Sequence, residues 1–112
     1  MNLTSKERAY LRSKAQTIDP IFQLGKNGVT PEGTEAIGQA LEARELVKIN
    51  VLQNCMEDPK EMAETIAGRT RSIVVQVIGK KIILFKQSKK NPKYIGKPEA
   101  TEQDKKPVAK RK

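Results

Sequence analysis

The chain has no histidine and no tryptophan, a single cysteine, and only four aromatic side chains, two Tyr and two Phe. Without histidine, the side chain that most readily exchanges protons near neutral pH is missing, and with it the commonest metal ligand. General-base chemistry would have to rest on a carboxylate or a lysine in a pocket. The lone Cys55 excludes an intramolecular disulfide and any cysteine-based metal cluster, and no histidine is present to activate it. It reads as a partly buried small hydrophobe. No stretch approaches the roughly 18 consecutive apolar residues of a membrane span. The opening MNLTSKERAY has no apolar signal region. These absences point to a reducing, cytoplasmic setting, to no metal and no cofactor, and away from an enzyme.

What the chain does have is charge. Its 112 residues suffice for one domain with a modest core. The net charge is +9, but it is unevenly placed. Residues 87–112 carry nine Lys or Arg against three acids, and residues 1–86 carry thirteen against ten. The globular part is therefore only mildly basic, and an anion site within it must come from local clustering. Residues 87–112, rich in Lys, Pro and polar side chains, read as a disordered tail, and residues 1–86 as the domain.

Along that domain, Thr4-Ser5-Lys6-Glu7 reads as a capping box. The helix it opens, to about Gln16, places Leu11, Ala15 and Ile18 on one side, with Lys6, Arg8, Arg12 and Lys14 around the rest. IDPIFQL supplies a short strand. Thr30-Pro31 then caps a second helix whose apolar positions include Ile37, Ala40 and Leu41. ELVKINVL alternates and is rich in branched residues, so it reads as a strand. Asp58-Pro59 repeats the cap, Met62, Ala63 and Ile66 mark a buried face, and Gly68 fits a C-cap. In SIVVQVIGKKIILF, Gly79-Lys80 fits a two-residue hairpin turn. The expectation is a single α/β domain of order α-β-α-β-α-β-β, with helices packed on a four-stranded mixed sheet.

PIFQLGKNGVTPE, residues 20–32, sits where the first strand hands over to the second helix. Gly25 and Gly28 let the backbone turn tightly and expose its N–H groups. Lys26 adds a mobile cation, Asn27 tolerates left-handed geometry, and the start of the next helix adds partial positive charge. The set suits a phosphodiester backbone. It also suits a plain strand-to-helix turn that needs glycine for shape. It is neither a Walker A loop, lacking Gly-Lys-Ser/Thr, nor a dinucleotide fingerprint, lacking a third glycine.

LRSKA, GKNGVT, ELVKI and VVQVIGKKIILF follow the order and approximate spacing of the CRM domain family, which the chain resembles from about residue 3 to residue 86. This is the RNA-binding module of bacterial YhbY-like proteins and of plant organelle splicing factors. The resemblance implies a fold similar to the C-terminal domain of translation initiation factor three, with a GxxG loop analogous to that of KH domains. It also implies association with precursors of the large ribosomal subunit. Carried over by position, the signature loop is Gly25, Lys26, Asn27 and Gly28. Leu11-Arg12 matches the first-helix motif, and Glu45 through Ile49 the second-strand motif, read as mainly structural. The chain departs from the pattern at Gly68-Arg69-Thr70-Arg71, where the family often has Thr-Gly. It departs again at Leu84-Phe85-Lys86, where the family often has Leu-Tyr-Arg. A KH loop joins two helices, whereas this one joins a strand to a helix.

Arg12 and Lys14 join the candidate surface if the first helix flanks the loop; otherwise they are its solvated face. Arg69 and Arg71 either satisfy the last carbonyls of the third helix or extend the basic surface. Glu57, Asp58, Glu61 and Glu64 cluster at a helix start, where carboxylates favour the dipole and lack the fixed cage of a metal site. Phe22 and Phe85 read as packing residues, and no strand carries the aromatic pair of a base-stacking sheet. Recognition then leans on phosphates and RNA shape. The reading is a monomeric RNA-binding ribosome assembly factor. The alternatives are an adaptor whose basic tail docks acidic proteins and a nucleic-acid binder that does not distinguish DNA from RNA.

Overall fold

Each helix begins where the sequence places a cap. In the computed structural model, which describes residues 3–88 together with Pro92 and Tyr94, α1 spans Ser5–Ala15 behind Thr4. The Glu7 N–H donates to the Thr4 hydroxyl, and the Thr4 N–H to the Glu7 carboxylate, both at 3.0 Å. That closes the capping box. Helix α2 (Pro31–Arg44) starts behind Thr30 and α3 (Pro59–Thr70) behind Asp58. Both have proline at the first helical position, where a missing N–H is no loss. Strands β1 (Phe22–Leu24), β2 (Leu46–Val51), β3 (Ile73–Ile78) and β4 (Lys81–Phe85) complete the expected order.

Two boundaries differ from expectation. Gly68 lies inside α3 rather than capping it, and the cap is Arg71, left-handed at φ 59° and ψ 41°. Ala67 and Thr70 are buried, and the Thr70 hydroxyl donates to the Ile66 carbonyl at 2.8 Å. Packing of that last turn carries the helix past a residue whose propensity would end it. Glu45 caps α2 with φ 69° instead of opening β2. Its carboxylate is buried and accepts the Ser88 N–H.

The strands form one mixed sheet in the order β1-β2-β4-β3, with β1 parallel to β2 and the other pairs antiparallel. Successive side chains point to opposite faces, and the two faces bury different clusters. Val47, Ile49, Val51, Ile82 and Leu84 face α2 and α3, meeting Ile37, Leu41, Met62, Ala63 and Ile66. Leu46, Ile83 and Phe85 face α1, meeting Leu11 and Ala15. Cys55 belongs to the first cluster, and Phe22 packs against it half-buried. The half-buried Tyr94 packs against the second cluster. The rest of the predicted tail, apart from Gln87, Ser88 and Pro92, lies outside the described residues.

Two basic side chains are taken up by the scaffold. The edge strand β3 carries a register shift between Val74 and Gln76. There the Arg8 guanidinium donates to the Val74 carbonyl at 2.7 Å and the Val75 carbonyl at 2.9 Å. A bulge with its carbonyls covered is a poor template for edge-to-edge pairing. Lys48 donates to the carbonyls of Ala15 and Ile18 at 3.2 and 3.3 Å, closing the C-terminal end of α1.

Candidate nucleic-acid interface

β1 and β2 run parallel, so the loops that follow them emerge at the same end of the sheet. In the first loop the Gly28 N–H donates to the Gly25 carbonyl at 2.9 Å, closing a four-residue turn. Lys26 and Asn27 are its central residues, neither has positive φ, and both are exposed. Gly28 follows at φ 60°, a conformation that favours glycine. Gly25 has no such constraint: a Cβ there would lie 3.5 Å from Asn54 Oδ1 and Leu52 Cδ1, ordinary contact distances. Shape therefore accounts for the second glycine and not for the first.

The helix start contributes less than the sequence suggests. Pro31 has no N–H, the Gly33 N–H donates to the Thr30 hydroxyl at 3.0 Å, and the Thr34 N–H donates to the Thr30 carbonyl at 2.9 Å. Glu32 adds a negative charge in the first turn. Lys26 and Asn27 are the exposed residues of the turn. Among the described residues, Lys26 makes no ion pair.

Two neighbours at this end are not evident from local sequence. The Val51 N–H donates to the Lys80 carbonyl at 2.7 Å, and Lys81 pairs with Asn50. The β3–β4 hairpin tip is thereby beside the end of β2, two strand spacings from Gly25, roughly 10 Å. Both lysines are exposed. Gly79, with φ 57°, makes the expected tight turn. The β2–α3 loop lies between them: Leu52 donates to the Leu24 carbonyl at 2.8 Å, and Asn54 reaches Gly25. Sequence reasoning missed Lys80, Lys81 and Asn54 because strand order alone brings them here.

The remaining predicted residues are elsewhere. α3 runs back toward the start of β2, so Arg69 and Arg71 sit at the opposite end of the sheet. A six-residue strand separates the two ends by roughly 17 Å. Arg12 and Lys14 ride on α1, on the sheet face away from α2 and α3. Lys14 stands 5.5 Å from the centroid of the Tyr10 ring. A groove of about 450 Å³ between Ile18, Arg44, Lys48 and Tyr94 contains no part of the glycine turn, and its Lys48 already serves the α1 carbonyls. Among the described residues, no group of three or more Cys, Asp or Glu is placed to hold a metal ion, and no helix is long and apolar enough to cross a membrane.

Three helices on a four-stranded mixed sheet define a single small α/β domain. Residues 3–86 match the model of the CRS1/YhbY (CRM) domain. The chain belongs to that family. It is 52% identical over 89 residues to the "probable RNA-binding protein YqeI" of Bacillus subtilis, covering 80% of this chain and 93% of that one. A "probable RNA-binding protein" of Methanocaldococcus jannaschii is 33% identical, covering 85% of this chain and 72% of the relative. The solution structure of a Staphylococcus aureus protein superposes with a TM-score of 0.70 at 51% identity, covering 80% of this chain and 94% of that one.

Proposed function

We propose that this protein binds structured RNA through the Gly25–Gly28 turn, and that it acts as a ribosome assembly factor on large-subunit precursors, by holding RNA rather than by turnover. The observation that carries the reading is the exposed Lys26-Asn27 pair at the tip of a closed turn, with Lys80 and Lys81 on the same end of the sheet. Cations gathered at one end of the sheet can meet phosphates along one backbone while the turn's backbone N–H groups approach closely. Family membership and the names of the relatives support RNA as the partner. The ribosomal assignment rests on the resemblance to YhbY-like proteins. Arg12, Lys14, Arg69 and Arg71 contribute where the bound RNA is large enough to reach past the sheet end.

Replacing Lys26 and Asn27 together with aspartate tests the reading. Both are exposed, so the fold should change by no more than about ±0.5 kcal/mol per site. Loss of one cation and gain of two like charges should abolish cosedimentation with large-subunit precursors at low salt, with an unchanged circular dichroism spectrum. A folded double variant that binds as wild type would reduce the loop to a turn.

A further inference from the structure

Glu57 does not do what its neighbours do. The cap of α3 is Asp58, whose carboxylate accepts the Lys60 N–H at 3.2 Å, and Glu61 occupies the first turn. The Glu57 side chain instead lies on the glycine turn. A Cβ built on Gly28 would overlap its carboxylate, with Cδ 2.6 Å away and Oε1 3.2 Å away. Gly28 is buried while Lys26 and Asn27, two and one residues before it, are exposed. Among the described residues, the Glu57 carboxylate has no hydrogen bond and no ion pair. An exposed, unpaired anion thus stands against the turn that offers Lys26 to phosphate.

A carboxylate only accepts hydrogen bonds, so it repels a bare phosphate and welcomes a donor beside it. Along a nucleic-acid backbone, RNA carries such a donor next to every internal phosphate, the ribose 2′-hydroxyl, and DNA has none there. We infer that Glu57 selects RNA over DNA at this loop, by accepting a hydrogen bond from the 2′-hydroxyl of the nucleotide whose phosphate meets Lys26. The inference rests on the turn being the RNA contact. It supplies that contact with a chemical means of telling the two nucleic acids apart, which lysines alone do not.

The probe is a structured large-subunit ribosomal RNA fragment and its 2′-fluoro counterpart, which keeps the A-form shape but has no 2′ donor. Wild-type protein should bind the hydroxyl form about fivefold more tightly or better, the scale of one net hydrogen bond to the carboxylate that the fluoro form cannot make. Glu57→Ala should bring the two affinities together, chiefly by raising that for 2′-fluoro RNA. Glu57→Gln, which removes the charge but keeps an acceptor, should fall between. An unchanged preference in folded Glu57→Ala would overturn the inference, as would no preference in wild type. The Lys26→Asp, Asn27→Asp variant reports separately: binding lost there with an unchanged preference in Glu57→Ala sinks only the role of Glu57. Binding retained there sinks the loop reading and this inference with it.

Discussion

The two glycines of the turn look equivalent in sequence, and alanine should separate them. At Gly25 the backbone has no positive φ, and a new methyl would meet Asn54 and Leu52 at 3.5 Å. The folded state can take it. Alanine also restricts the unfolded chain, so stability should stay level or rise by up to about 1 kcal/mol. At Gly28 the φ of 60° is left-handed, which costs an L-residue about 1–2 kcal/mol, and the methyl must also push the movable Glu57 carboxylate aside. For a domain of this size that should lower Tm by roughly 5–15 °C. Thermal unfolding followed by circular dichroism gives both values, and fluorescence anisotropy with a large-subunit RNA fragment gives affinity. Gly25→Ala should bind RNA more weakly at full stability, because its methyl holds a phosphate away from the turn's N–H groups. If Gly25→Ala is as stable as wild type and binds RNA undiminished, Gly25 is needed for neither shape nor contact, and the phosphate-clasp argument fails.

Three further outcomes follow from single contacts. Arg8→Ala removes both donors to the Val74 and Val75 carbonyls and should destabilise by about 1.5–3 kcal/mol. The uncovered edge should also increase aggregation on heating, read by light scattering. Arg71→Gly relieves a left-handed residue at the α3 cap and should stabilise by about 1 kcal/mol. A short RNA confined to the glycine turn should bind this variant as it binds wild type, whereas a drop in affinity would put Arg71 in the contact. Tyr94→Ala should cost about 1–2 kcal/mol in urea unfolding, because the ring covers the α1-side core that holds Leu11 and Phe85. No change would show that this contact contributes nothing.

Much of the fold is legible because its signals are local. A capping box is complete within Thr4–Glu7, a proline start within Asp58-Pro59, and a hairpin turn within Gly79-Lys80. The periods of the helices and strands name Leu11, Ala15, Met62, Ala63 and Ile66 as core, and all are buried. The misplaced boundaries are those where tertiary packing outweighs a local preference. Gly68 stays helical because Thr70 is buried behind it, and Glu45 accepts positive φ where its carboxylate reaches Ser88. Arg8 looks like a surface cation in sequence and Lys48 like part of a structural strand motif, and only long-range contacts reveal that each satisfies two backbone carbonyls.

The site is less legible than the fold for a related reason. GKNG can be read from four adjacent letters, but what surrounds it depends on strand order. Insertion of β4 between β2 and β3 carries Lys80 and Lys81 to the end of β2 and so toward the turn, while α3 carries Arg69 and Arg71 to the far end. Equal charges in sequence thereby acquire unequal standing. The same holds for the acids. Glu57 and Asp58 are neighbours at a helix start, and propensity treats them alike. Asp58 takes the cap because its side chain reaches the Lys60 N–H, and this leaves Glu57 free to lie on Gly28. A glycine there has two consequences: it takes the φ of 60° at which the turn of Lys26 and Asn27 ends, and its bare α-carbon leaves room for a carboxylate. On the proposed reading, attraction for phosphate and resistance to it then meet at one turn, and a nucleic acid that brings its own hydrogen-bond donor would satisfy both.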